Sequence, residues 1–105
     1  MFPTPDDPAY SPAWENYMVA QVVQASLGLI PKHAVAVGVR TTGRQVQIVF
    51  QMSRVRPADI EDISEIKSEL EVLVGPDVDV TVSIDRSVRP DLSGKERVRW
   101  IFRIR

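Results

Sequence analysis

Four short segments of this chain alternate apolar and polar side chains, and this alternation constrains the fold more than any other feature. The clearest case is residues 45–53, where three glutamines alternate with Val46, Ile48, Phe50 and Met52. A period of two gives a strand one apolar face and one polar face. The other three segments are residues 34–40, 78–84 and 97–104. We therefore predict a four-stranded sheet with one buried face and one open, wet face.

Residues 12–27 and 57–74 instead repeat apolar side chains every three to four positions, which predicts two amphipathic helices. Each of these segments begins with a proline and is followed by a glycine, as is typical of helix starts and ends. The predicted order is α-β-β-α-β-β. It indicates an α+β fold, a two-layer α/β sandwich with both helices on one face of a mostly antiparallel sheet.

Two strand orders satisfy this pattern. In the first, strand four lies between strands two and three, and the order 3-4-2-1 is a ferredoxin-like plait whose first strand has moved to the C terminus. In the second, the order is 1-2-3-4 and the middle pair is parallel. We expect Trp100 and Phe102 to face the helices, and large aromatic side chains in strand four favour a central position for it, as in the first order.

The 105 residues are enough for one domain with a modest core. The proline-rich residues 1–11 predict an extended tail, and residues 12–105 a single domain. The chain has no cysteine, no visible signal peptide and no apolar run of membrane-spanning length. We therefore expect a cytoplasmic protein with no membrane partner and no thiolate or disulfide chemistry.

Charge is segregated along the chain. Residues 57–79 contain eight acidic side chains and one basic side chain, Lys67, whereas residues 86–105 contain seven basic and two acidic ones. Such polarity can steer a charged protein partner. The candidate partner-binding residues on the acidic helix are Asp59, Asp62, Glu65, Glu69 and Glu71. The candidates on the basic side are Arg86, Arg89, Arg97, Arg99 and Arg103.

The open sheet face offers a second possible surface. Arg97, Arg99 and Arg103 of strand four and Gln47 of strand two would point outward there, and such side chains can bind phosphate and bases. Two features argue against nucleic acid on this face. Asp79 and Asp85 on strand three are expected to pair with the arginine strand, and the aromatic residues are expected on the buried side.

Catalytic and metal-binding sites find little support. His33 is expected in a loop between helix one and strand one, with no partner carboxylate and no nucleophile at a recognisable spacing. Asp59, Asp62 and Glu65 have a spacing that can bind a divalent cation, but a solvated helix face explains them better. The 86–96 loop, with Arg86, Arg89 and Lys95, lacks the glycine pattern of a phosphate-binding loop. We expect no enzyme activity, no cofactor and no metal.

The preferred hypothesis is a small non-catalytic protein-interaction module that neutralises or recruits a partner protein. In size and charge layout the chain is similar to the small cognate immunity proteins that neutralise bacterial polymorphic toxins, although no motif carries the similarity. The alternative is a nucleic-acid- or ribosome-associated domain that uses the arginine strand. A third hypothesis is a homo-oligomer paired through the edge of strand one, whose residues Ala34, Ala36 and Gly38 are small.

Overall fold

The computed structural model describes residues 11–93 and 97–104 and confirms the predicted fold class. Two helices and a four-stranded mixed sheet follow one another in the order α-β-β-α-β-β. The elements are α1 (Ser11–Ser26), β1 (Ala34–Thr42), β2 (Gln45–Met52), α2 (Pro57–Val74), β3 (Asp79–Arg86) and β4 (Arg99–Arg103). The predicted tail lies outside the described residues except for Ser11, which begins α1.

The core lies between the helices and one face of the sheet. Met18 and Val22 of α1, Phe50 of β2, and Ile66 and Leu70 of α2 are fully buried in one apolar cluster. The indole Nε1 of Trp14 donates a hydrogen bond of 2.9 Å to the carbonyl of Gly43 in the β1–β2 turn. This bond fixes the first turn of α1 against the end of the hairpin, so α1 runs antiparallel to β1.

The strand order is β3-β2-β1-β4, so both predicted orders are wrong. β1 pairs antiparallel with β2 and with β4, whereas β2 and β3 are parallel. The parallel pair belonged to the second predicted order, but strand four lies beside β1 and not beside β3. The prediction that a dimer pairs through the edge of strand one is also wrong, because β1 is a central strand with no free edge.

Gly38 explains why β4 fits beside β1. A Cβ atom at Gly38 would lie 2.8 Å from Cε3 of Trp100 and would overlap Cγ1 of Val98. Trp100 pairs with Gly38 across the two strands, so its ring covers the glycine on the sheet face away from the helices. The absence of a side chain at Gly38 is therefore a requirement of this strand order.

The register of β4 corrects the predicted direction of its side chains. Phe102 pairs with Val37 and packs against the core as predicted, but the pairing shifts by one residue before Trp100 pairs with Gly38. Ile101 is the extra residue at this bulge, and it also packs against the core. A bulge reverses the alternation of the residues before it. Trp100 therefore lies on the face opposite the helices, and Arg99 lies on the helix side.

The segment between β3 and β4 crosses the face that was predicted to be open. Gln51 points to this face yet is only 1% exposed, and Ala36 and Val49 beside it are also buried. The Gln51 side chain makes two hydrogen bonds to the backbone of Asp91, donating to its carbonyl and accepting 2.8 Å from its N–H. The backbone of the crossing segment thus provides the hydrogen-bond partners of the buried Gln51 amide. Only part of this sheet face remains exposed to solvent.

Candidate functional site

An acidic ridge runs along the outer side of α2. Glu61, Glu65, Glu69 and the half-buried Asp62 make up this ridge, and the spacing of three and four residues keeps them on the outer side of the helix. Among the described residues, none of these four carboxylates makes an ion pair. The exposed Val72 continues the line from Glu65 and Glu69. Asp62, Glu65 and Glu69 were predicted here, whereas Glu61 was not.

Asp59 does not belong to the acidic surface on which it was predicted. Its side chain is buried, and Oδ2 accepts hydrogen bonds from His33 Nδ1 at 2.7 Å and from the backbone N–H of Arg56 at 2.9 Å. The backbone N–H of His33 also lies 3.4 Å from Oδ1. Asp59 is the third residue of α2, so it caps the start of its own helix. The prediction placed it on the solvent face because sequence spacing alone does not show which chain segment covers the first turn.

The pKa of Asp59 reflects this environment. Burial raises the pKa, but the hydrogen bonds from His33 and from the backbone of Arg56 and His33 outweigh burial. The net pKa therefore lies below the ordinary value of 3.8. Asp59 is consequently a carboxylate at neutral pH, and it connects the loop before β1 to the start of α2.

His33 lies in the loop before β1 as predicted, but the expectation that it has no partner carboxylate is wrong. The His33–Asp59 pair resembles the base and orienting acid of a hydrolase, and a third group would be needed to complete that arrangement. Ser53 is the nearby hydroxyl, and its Oγ donates to the carbonyl of His33 at 3.2 Å. The hydroxyl is thus bonded to the backbone of His33. The pair acts as a structural joint between two chain segments.

Glu71 lies on a different side of α2 from the acidic ridge. It follows Glu69 by two residues, which places it about 200° around the helix. Its carboxylate lies 3.9 Å from Lys67 Nζ, one turn earlier. Together with Val72 and residues 75–80, Glu71 lines an open concavity of about 690 Å³ at the amino-terminal end of β3. Glu71 is therefore not part of the acidic ridge.

The arginines of β4 do not form one stripe. Arg99 points to the helix side, where its guanidinium donates to Glu15 at 3.3 Å and to Asn16 at 3.2 Å. Arg103 pairs in register with Ala36, and both side chains lie on the sheet face away from the helices. The predicted neutralisation by Asp79 and Asp85 is also wrong, because β3 and β4 lie at opposite edges of the sheet.

Arg86, predicted in the 86–96 loop, is instead the last residue of β3, whereas Arg89 lies in that loop as predicted, in the segment that crosses the sheet face. Arg86 donates to the carbonyl of Ser53 at 3.3 Å, and the backbone N–H of Ser87 donates to Met52 at 2.9 Å. Ser87 Oγ donates to the carbonyl of Arg89. Lys95 of the same predicted loop lies outside the described residues.

These contacts assemble a cationic surface that was not predicted. We call it the basic end: Lys32, Arg54, Arg56, Arg86 and Arg89. Three separate chain segments meet there, at the carboxyl ends of the parallel strands β2 and β3. Ser53 connects them, since it bonds to His33 on one side and accepts from Arg86 on the other.

A sequence signal for the basic end was present. The triplet Val-Arg-Pro occurs twice, at 55–57 and 88–90, and an arginine precedes each copy by one or two residues. Each copy follows one strand of the parallel pair. Without the knowledge that β2 and β3 are neighbours and parallel, the two copies appear as unrelated loop sequences.

No group of three or more carboxylate and histidine side chains among residues 11–93 and 97–104 is arranged to hold a metal ion. In particular, Asp59 is committed to His33 and so does not join Asp62 and Glu65 in a cation site. Neither helix in this part of the chain is long and apolar enough to span a bilayer.

Comparison of the sequence with protein-family models and with curated proteins finds no match to either.

Proposed function

We propose that this protein is a non-catalytic protein-interaction module that binds a basic protein surface through the acidic ridge of α2. The observation that carries this proposal is the exposed, unpaired state of Glu61, Glu65 and Glu69 on one regular helix. The chain has 13 Lys and Arg residues against 14 Asp and Glu residues, but none of the described cations forms an ion pair with the ridge carboxylates. The negative charges of the ridge are therefore not neutralised by ion pairs within the described part of the chain.

A helix of this kind suits recognition of a protein. Val72, which is 80% exposed, continues the ridge beyond Glu69, and Leu73 next to it is 39% exposed. Protein interfaces combine an apolar centre with a charged rim, and the charges raise the association rate and select the partner. The ridge offers both features on one rigid element, with no loop that must become ordered on binding.

In the form of this proposal that we favour, the partner is a basic enzyme such as a toxin nuclease, and the chain is an inhibitor of the immunity type. A cytoplasmic location fits this role, and the cysteine-free composition supports it. Self-association is a separate form of the proposal, and it would have to use β3, β4 or a helix face.

The test is quantitative cross-linking in the native cells with E65K/E69K as the ridge variant. The matched control is D79K/D85K, which changes the net charge by the same amount on the exposed side chains of β3. We expect wild type and D79K/D85K to capture one protein of basic isoelectric point in near-stoichiometric yield, and E65K/E69K to lose it.

Two results would contradict the proposal. One is capture of the same protein by E65K/E69K at the wild-type yield. The other is the absence of any protein enriched with wild type over E65K/E69K. If the captured protein is an enzyme, titration with the purified chain should abolish its activity at a one-to-one ratio, and E65K/E69K should not.

A further inference from the structure

The basic end concentrates cations in a chain whose net charge is −1. Lys32, Arg54, Arg56 and Arg89 are exposed, and so is Arg86. The contacts of Ser53 with His33 and Arg86, and of Asp59 with His33 and Arg56, hold the three contributing segments together. The five cations are thus displayed by fixed backbone at one end of the sheet.

Asp85 precedes Arg86 and Asp91 follows Arg89 by two residues, yet no carboxylate in the described part of the chain lies within ion-pair distance of these cations. None of the five cations makes an ion pair there, and the nearest buried carboxylate, Asp59, is bonded to His33 and to the Arg56 backbone. Like charges gathered on one small surface repel one another, and this cost is offset when a polyanion binds.

We propose that the basic end binds the phosphate backbone of double-stranded nucleic acid without reading its sequence. Four of its five cations are arginines, whose planar guanidinium groups bind phosphate in a two-pronged manner. The repeated Val-Arg-Pro triplets give two similar arginine arms at the ends of adjacent parallel strands. Two such arms, with Lys32 beside them, suit successive phosphates of an extended backbone better than one small anion.

The absence of aromatic side chains from these segments indicates which form of nucleic acid the basic end binds. Residues 31–33, 53–57 and 86–90 contain no Trp, Tyr or Phe. Sequence-tolerant binding of single strands depends on aromatic side chains on which bases stack. The basic end therefore favours a duplex, whose phosphates are exposed while its bases are stacked inside. This function is independent of the acidic ridge and of its protein partner.

The test is fluorescence anisotropy with a labelled duplex of about 16 base pairs and mixed sequence, at several salt concentrations between about 50 and 200 mM. Neutralising four or five phosphates gives a slope of log K against log salt of about −4, and hence a loss of affinity of more than about 100-fold over that range. An acidic peptide of similar charge serves as the competing ligand.

The variant is R54E/R89E, which changes one exposed arginine in each arm and removes no side-chain hydrogen bond among the described residues. The charge control is R97E/R99E, which changes the net charge equally in and just before β4; because it also breaks the contacts of Arg99 with Glu15 and Asn16, its folding is verified in the same way. We expect R54E/R89E to lose at least about tenfold in affinity and about two units of slope, while R97E/R99E and E65K/E69K keep a wild-type slope. Circular dichroism verifies folding, and R54Q/R89Q replaces R54E/R89E if the latter is unfolded.

Four results would overturn the assignment. They are wild-type binding by R54E/R89E, a slope near zero for the wild type, an equal loss in R97E/R99E, and tighter binding of the acidic peptide than of the duplex. Because E65K/E69K is measured alongside, failure of the nucleic-acid assignment is separate from failure of the protein-binding proposal.

Discussion

The acidic ridge is carried by a single helix, whereas the basic end is gathered from three chain segments that meet where β2 and β3 end. Each ridge carboxylate depends only on the periodicity of α2 for its position. The cations of the basic end depend on the parallel β2–β3 pair and on the His33–Asp59 joint. Substitutions on the ridge should therefore alter charge alone, while substitutions beneath the basic end should also alter stability.

The largest effect is expected at Asp59. Replacing it with alanine removes the bond from His33 and the cap on the Arg56 N–H, and it leaves partly buried donors without partners. We expect Asp59→Ala to lower the free energy of unfolding by about 3 kcal/mol, and Asp62→Ala, the matched control on the same helix, by less than about 0.5 kcal/mol. Urea unfolding measures both, and equal midpoints would contradict the structural role of the joint.

A smaller loss is expected at Gly38. Gly38→Ala places a methyl group where Trp100 and Val98 lie, so β4 must shift away from β1. We expect a cost of about 2 kcal/mol, relieved in the background of Val98→Ala/Trp100→Ala, which removes both side chains that lie over the glycine. A mutant cycle by thermal unfolding measures the coupling. If Gly38→Ala costs as much in that background as in wild type, Val98 and Trp100 do not cover Gly38, and the pairing of β4 with β1 is contradicted.

The pH dependence of stability should follow Asp59. Its pKa is lower in the folded state than the ordinary 3.8, so the folded state binds fewer protons in acid than the unfolded state does. The contribution of Asp59 is therefore fully present above pH 3.8 and is lost as the pH falls through the folded-state pKa. Urea midpoints between about pH 2 and 6 should show a steeper acid decline in wild type than in Asp59→Asn. Parallel curves would show that another group causes the decline.

The smallest effect is expected on the ridge. E65K/E69K exchanges exposed side chains that make no ion pair in the described structure, so its stability should stay within about 0.5 kcal/mol of wild type. Calorimetry provides the measurement. A shift larger than this would mean that the ridge contributes to the fold, and its loss of partner binding would then need another explanation.

These differences also explain what the sequence could predict. The helix and strand periods predicted all six elements, with both ends of α2 correct, because those periods are local properties. The three ridge residues Asp62, Glu65 and Glu69 were predicted for the same reason. The strand order was not predicted, because it depends on which strand has room for β4 beside it. β1 has that room at Gly38, which contacts Val98 and Trp100 some sixty residues later in the chain.

The failures at the sites have the same origin. Asp59 was assigned to the surface because its burial depends on His33, which is distant in sequence. The bulge at Ile101 reversed the predicted directions of Arg99 and Trp100. The two Val-Arg-Pro triplets became one surface only through the parallel pairing of β2 with β3.

That parallel pairing is the central claim, and amide–amide nuclear Overhauser effects in the perdeuterated protein test it directly. The strand order predicts contacts between β2 and β3 in the register of Ile48 with Val82, and between β1 and β4 near Val37 and Phe102. Contacts between β3 and β4, with none between β2 and β3, would contradict the strand order. The cations of the basic end would then not lie on one surface.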